Sequence, residues 1–388
     1  MNATDVEPTT ACGPGERIEG LCTWRALLML MGVLLHATMG QEDQPVFAAV
    51  NIVSGSFRMG TFFMISGLLS GFALLRRPSP GVWARARMMQ LGVPTLFGLA
   101  VICPLIGIIQ GMQGTAFWAL NPYHLWFMLA LLAYTLAGYA VHRIDVSWRV
   151  FERVEQRSRT ARMLQSGVLA TTGLASFALM GITFPILAAL PATLRPLARE
   201  LPLLTGYAPA FLLGFASARA PTLRRMLTAS VRVPTAILVM GAMALLARQA
   251  WPPAANAEGL WWSNLVTVAC AAWCPPAASA LILRSSMAMR RVPAPLRLAA
   301  DASFTIYILH YPVIAALHRL AGPLSIDGWG LFAMLALAGG LVPYALHRWA
   351  VRRSPSLRWL LNGQPFAPYL PTSPDKSPIS TSRAAATL

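Results

Sequence analysis

Arg25-Ala-Leu-Leu-Met-Leu-Met-Gly-Val-Leu-Leu-His36 holds two ionisable side chains separated by apolar residues and one glycine. Read as an α-helix, the stretch makes about three full turns, which sets Arg25 and His36 on nearly one face, roughly 16 Å apart. An apolar helix with a cation at one end and an imidazole inside it fits a membrane span, where ionisable groups are costly and mark functional sites. That reading makes the chain a polytopic all-α membrane helix bundle if comparable stretches recur. They do. The apolar segments 23–40, 46–75, 90–110, 123–142, 164–189, 201–219, 233–250, 260–283, 302–320 and 328–350 are each near the length needed to cross about 30 Å of hydrocarbon. The first is only just long enough, and the second is over-long and expected to tilt.

Composition agrees: of 388 residues 56% are hydrophobic and 12% charged, about half the charged fraction of a soluble domain. The formal charge of +17 raises nucleic-acid binding as an option. Its placement argues against nucleic acid. Arg76, Arg77, Arg85 and Arg87 follow span two, six arginines from Arg143 to Arg162 follow span four, and further clusters follow spans six, eight and ten. The opposite loops hold few cations together with Glu42, Asp43, Glu258 and Asp327. By the positive-inside rule both termini are expected to be cytoplasmic, in a multi-pass protein of a bacterial inner membrane with lipid all around it.

The five cysteines include no CxxC pair and read as packing residues, not as a disulfide framework or zinc site. Residues 1–16 lack a basic leader, so no cleavable signal peptide is expected. Residues 1–16 and 363–388 read as disordered tails around a membrane domain over 17–362. There is no phosphate-binding GxxxxGK[ST] loop, no HExxH pair and no metal-ligand spacing. No bound metal or resident cofactor is expected.

Other polar groups fall inside the spans. Arg58, in Ser56-Phe57-Arg58-Met59, needs a carboxylate, a phosphate or several carbonyls. It is either a ligand contact or a structural arginine at a helix irregularity. Tyr123-His124-Leu125-Trp126-Phe127 opens span four, with Trp126 read as an interfacial anchor and His124 as a belt residue or part of an outer substrate site. Tyr307 and His310 share a face of span nine, where Pro312 can free a carbonyl. His142, His318 and His347 sit at span ends and need no special role.

These motifs together resemble the acyltransferase 3 family of integral-membrane acyltransferases. The likeness runs from about Arg17 to Pro365. It rests on Arg25 with His36, on Ser56-Phe57-Arg58-Met59 followed by Phe62-Phe63-Met64-Ile65-Ser66-Gly67, and on Gly92-Val93-Pro94. His124-Leu125-Trp126-Phe127, Ala302-Ser303-Phe304-Thr305-Ile306-Tyr307-Ile308-Leu309-His310 and Asn362-Gly363-Gln364-Pro365 complete it. The resemblance implies transfer of an acyl group, succinyl or acetyl, from cytoplasmic acyl-CoA to a hydroxyl of an extracytoplasmic glycan such as a periplasmic glucan. It implies that His36 is the essential histidine and Arg25 its partner, with Arg17 and Arg87 placed to contact CoA phosphates. Two positions depart from the family pattern. Cys22 stands where an Asp often precedes the signature arginine, and Gln90 stands where a second arginine often precedes the proline at Pro94.

The chemistry expected is general-base catalysis by His36 on a sugar hydroxyl, with a covalent acyl-histidine relay as the variant. Arg58 is the candidate for stabilising the oxyanion, and His124, Tyr307 and His310 are candidate substrate contacts. A transporter or flippase for an anionic lipid or glycan is the alternative reading of the same buried cations. A sensor or assembly subunit is a third. Sequence leaves the oligomeric state open.

Overall fold

The computed structural model describes residues 19–41, 43–76, 79–112, 121–160, 164–191, 194–252, 257–289, 292–324 and 326–364. Arg17, the segment 1–16 and the chain beyond Gln364 lie outside them. The described residues contain helices and no strand. In order these are α1 Glu19–His36, α2 Pro45–Arg76, α3 Pro80–Ile109, α4 Tyr123–Trp148 and α5 Val150–Thr160. Then come α6 Gln165–Ala189, a single helical turn at Arg195–Ala198, α7 Leu201–Arg219, α8 Pro221–Leu227 and α9 Arg232–Ala250. The chain closes with α10 Ala257–Ala288, α11 Ala294–Ala321, α12 Gly328–Val351 and α13 Pro355–Asn362.

Nine of these helices are long and apolar enough to cross a membrane, and α1 is a shorter apolar helix. The protein is therefore an all-α polytopic helix bundle, as its hydropathy predicts. Boundaries moved at α3, which starts at Pro80 and not near residue 90. Arg85 and Arg87, expected in a loop, lie on its first turns. Trp83 and Leu91 bury one side of this stretch against the bundle, so packing extends the helix beyond its apolar run.

α2 is the hub, packing against α7, α10, α1 and α4. Lipid is as apolar as leucine, so helices associate in membranes through close packing of small residues, not through the hydrophobic effect. Gly67 of α2 faces the backbone of Phe211, and Gly214 of α7 faces the backbone of Met64. These two glycines let α2 and α7 touch backbone to backbone. Between α2 and α10, Thr61 Oγ1 donates to the Pro275 carbonyl at 3.3 Å.

Prolines shape the ladders near the centre. Pro104 has no N–H, and just before it the helix slips into a π-turn, Gly98–Ile102, with the Cys103 N–H bonded to Gly98 O. α7 breaks at Tyr207, two residues before Pro209, and the chain resumes as helix from Ala208.

The helix ends rich in arginine meet at one end of the bundle. There Arg219 of α7 forms a buried ion pair with Asp145 of α4 and also reaches His142. Glu155 of α5 accepts from the Thr222 hydroxyl at 2.6 Å and N–H at 2.9 Å, and from Arg159 Nε at 2.9 Å. Burial alone would raise the Glu155 carboxyl, but these donors together hold it below its ordinary 4.5. His347, read from sequence as an unremarkable span-end residue, is buried here. Its Nδ1 lies 2.8 Å from Thr305 Oγ1, which donates to Asn362 Oδ1 at 2.9 Å and so ties α11, α12 and α13 together. Cys22 is disulfide-bonded, a departure from its reading as a packing residue, while Cys103, Cys270 and Cys274 are free and buried.

Candidate active site

At the end of the bundle away from the arginines, the last turn of α1 meets the first half of α2, the starts of α4 and α7, and the middle of α11. Together they line a partly open cavity of about 580 Å³. His36, Arg58, His124, Tyr307 and His310 all line it. Five of the candidate residues, spread over four helices, are thus brought to one chamber.

His36 is the last residue of α1 and is half-buried. Its ring centroid lies 5.3 Å from that of His310 and 4.9 Å, edge-on, from Tyr311. His124 lies 5.1 Å from His310 and stacks on Tyr311 at 5.2 Å. Three imidazoles therefore stand in succession around one tyrosine. Among the described residues no cluster of three or more His, Cys, Asp or Glu is arranged to hold a metal ion.

Arg58 is 7% exposed, and its Nε has no hydrogen-bond partner among the described residues. Its guanidinium packs against Gly32 of α1, with Cζ 3.4 Å from where a Cβ would stand. Glycine one turn before His36 is what admits the cation there. Among the described residues no carboxylate pairs with Arg58; Glu200, the acidic residue lining the chamber, is bridged to Arg199 at 3.1 Å. A buried cation without a counter-ion is expensive, and an anionic ligand group would compensate it.

Hydrogen bonds fix the orientation of the surrounding rings. Tyr307 donates its hydroxyl to the His124 carbonyl. Tyr123 adopts a left-handed backbone (φ 43°), its N–H bonded to Asn121 Oδ1 at 3.0 Å and its hydroxyl 3.2 Å from Met112 Sδ. Positive φ in an aromatic residue is strained and gathers at functional sites.

Arg25 does not join this chamber. It lies toward the arginine-rich end, its guanidinium 5.6 Å from the centre of the Phe62 ring and its Nε buried without a hydrogen-bond partner among the described residues. Cation–π contact with Phe62 thus holds the arginine that the departure at Cys22 leaves without a neighbouring carboxylate. Arg87 of α3 is close enough to Arg25 for the two charges to repel. Arg87 Nη1 donates to Gln90 Oε1 at 2.9 Å, so the second departure from the family pattern seats Arg87. Arg17 lies outside the described residues.

Sequence reading missed several lining residues. Trp126, read as an anchor, lines the chamber, as do Tyr123, Tyr207, Tyr311, Asn51 and Asn121. Tyr311 adjoins His310 in sequence and was within reach. Tyr207 and Asn51 carry no local signal, because only the meeting of α2 and α7 brings them to the site.

Residues 18–348 match the family model described as an acyltransferase domain of the acyltransferase 3 type. The chain is similar to glucans biosynthesis protein C of Escherichia coli strain K12, 22% identical over 398 positions covering 91% of this chain and 96% of the relative. It shows the same identity and coverage to the protein of that name from Escherichia coli O81 strain ED1a. No solved structure matches.

Proposed function

The chain belongs to the acyltransferase 3 family and is a multi-pass membrane enzyme that transfers acyl groups, and from that premise we propose how it works. It takes the acyl group from cytoplasmic acyl-CoA and places it on a hydroxyl of an extracytoplasmic glycan, working in a bacterial inner membrane. The relatives' name points to a glucan as acceptor. Arg25 and Arg87, adjacent cations with no carboxylate partner among the described residues, bind the phosphates of the donor. Arg17 joins them. The thioester arm runs along α1 over the roughly 16 Å to His36.

In the chamber the His36 imidazole removes the proton from the acceptor hydroxyl as its oxygen attacks the thioester carbonyl. Arg58 faces the oxyanion that develops. The C–S bond then breaks, the ester forms, and the proton held on His36 passes to the departing thiolate to give CoA. Passage of the acyl group through His36 itself is the variant of this scheme.

One observation carries the reading. α1 bears, at its arginine-rich end, a cation with no carboxylate partner among the described residues and, at the other, an imidazole in a chamber with a second such cation. That layout suits a substrate that is anionic at both ends of its path. It suits a flippase for an anionic lipid as well, and purified protein in detergent separates the two. An acyltransferase cleaves acetyl-CoA or succinyl-CoA to free thiol without a bilayer, faster when glycan is added, whereas a flippase leaves the thioester intact. Thioester turnover indistinguishable from a protein-free blank would overturn the proposal.

A further inference from the structure

The backbone dictates where two of the chamber's imidazoles carry their protons. Pro312 has no N–H, so the Ile308 carbonyl four residues earlier loses its helical partner. His124 Nε2 lies 3.2 Å from that oxygen. A carbonyl only accepts, so Nε2 carries the hydrogen and Nδ1 is bare. His310 Nδ1 lies 2.7 Å from the Tyr307 carbonyl and 3.1 Å from that of Ile306. By the same reasoning its Nδ1 is protonated and Nε2 is bare.

Both bare nitrogens are buried without a hydrogen-bond partner among the described residues. The rings that carry them are 6% and 2% exposed and line the chamber beside His36. Tyr307, the hydroxyl packed against both rings, is committed to the His124 carbonyl and donates to neither. Buried acceptors call for donors. A ligand that brings hydroxyl groups supplies them, and one that brings only carboxylate or phosphate oxygens does not.

We infer that His310 and His124 form an acceptor subsite that takes hydroxyls neighbouring the reacting one, so the acceptor is a sugar ring presenting a vicinal diol and not an isolated alcohol. The inference rests on the acyl-transfer reading and adds its acceptor chemistry. His310 lies between His36 and His124, so a hydroxyl at His36 has its ring neighbour at His310. Tyr311, edge-on to His36 and stacked on His124, offers a flat apolar surface for the C–H face of the same ring. In this subsite His310 and His124 are binding residues, and His36 alone handles the transferred proton.

The test uses purified full-length protein in detergent, an acyl-CoA donor, and methyl β-glucopyranoside with its analogues deoxygenated in turn at carbons 2, 3, 4 and 6. 1-Butanol serves as the isolated alcohol. In the wild type, removing the hydroxyl next to the acylated one lowers acceptor kcat/KM roughly tenfold, the size of one lost hydrogen bond. In His310→Phe, which keeps a ring and removes the acceptor nitrogen, the parent glucoside falls by a similar factor and the same deoxygenation costs less than about twofold more. His310→Gln, which restores an acceptor oxygen, recovers part of the loss. Equal losses from deoxygenation in the wild type and in His310→Phe overturn the subsite, as does 1-butanol matching the glucoside. Should His310→Phe fail to fold, His124→Phe and the wild-type acceptor series decide the matter. Thioester cleavage without preference for sugar over butanol overturns this inference and leaves acyl transfer standing. Absence of thioester cleavage overturns the reading beneath it.

Discussion

Adding one methyl group at Gly67 or Gly214 should separate α2 from α7. A Cβ on Gly67 would overlap the Phe211 carbonyl, with Phe211 C at 2.9 Å and Phe215 N at 3.1 Å. One on Gly214 would overlap the Met64 carbonyl, with Met64 C at 2.9 Å and Leu68 N at 3.0 Å. Carbon atoms settle about 3.5–4.0 Å apart and the facing carbonyl oxygens stand nearer than the carbons, so each substitution asks for a shift of at least about 1 Å, which forfeits about half of the local dispersion energy. The obstacle is backbone and cannot rotate aside. We expect Gly67→Ala and Gly214→Ala each to cost about 1–3 kcal/mol, or about 5- to 150-fold in the unfolding equilibrium. The two sites relieve the same contact, so the double variant should fall short of the sum by at least about 0.5 kcal/mol. Denaturant titration in detergent, followed by circular dichroism, reads all three. Wild-type midpoints for both single variants, or strict additivity in the double, would refute the backbone-to-backbone crossing.

Other perturbations separate the chamber from its frame. Gly32→Ala puts a Cβ onto the flexible end of Arg58, so the fold should absorb it while kcat for acyl transfer drops about ten- to a hundredfold; a normal kcat would show that the guanidinium has no part in turnover. Asp145→Ala strands the buried Arg219 guanidinium and should destabilise by about 3–5 kcal/mol in a denaturant titration, and a shift under about 1 kcal/mol would contradict the buried pairing. Glu155 titrates below its ordinary 4.5 in the folded protein. Its contribution is therefore complete above that value and lost as pH falls through the folded one. Thr222→Val should lower the thermal midpoint near pH 7, and that gap should narrow as pH falls below 4.5 through the folded-state value of Glu155; a pH-independent gap would show that Glu155 is not the partner that matters.

Sequence conveyed the bundle because a membrane span announces itself by length and hydropathy, whatever it packs against. It conveyed the candidate residues in part for the same reason: His36, Arg58 and His310 stand out as polar groups in apolar surroundings. Tyr307 and His310 share a face by helical spacing, and the structure keeps them in one chamber. What hydropathy cannot supply is pairing. That Pro312 frees a carbonyl could be read from the chain. That His124, from a distant span, takes that carbonyl could not. Arg85 and Arg87 looked like loop residues because charge outweighs apolar content there, yet the stretch is helical and buries Trp83 and Leu91 against the bundle. Arg25 and His36 looked like one site on one face. Packing assigns them to different neighbours, Phe62 of α2 and His310 of α11, which separates a donor end from a reaction chamber in the mechanism proposed above.

The central claim is that His36 performs the transfer, and it is best tested in cells. Mass spectrometry of cell-envelope glycans compares strains carrying the wild-type protein, His36→Ala, or no copy, with membrane insertion and thermal stability of the variant measured alongside. The account predicts that His36→Ala inserts and folds normally while glycan acylation falls to the level of the strain without the protein. Wild-type acylation from folded His36→Ala would contradict it.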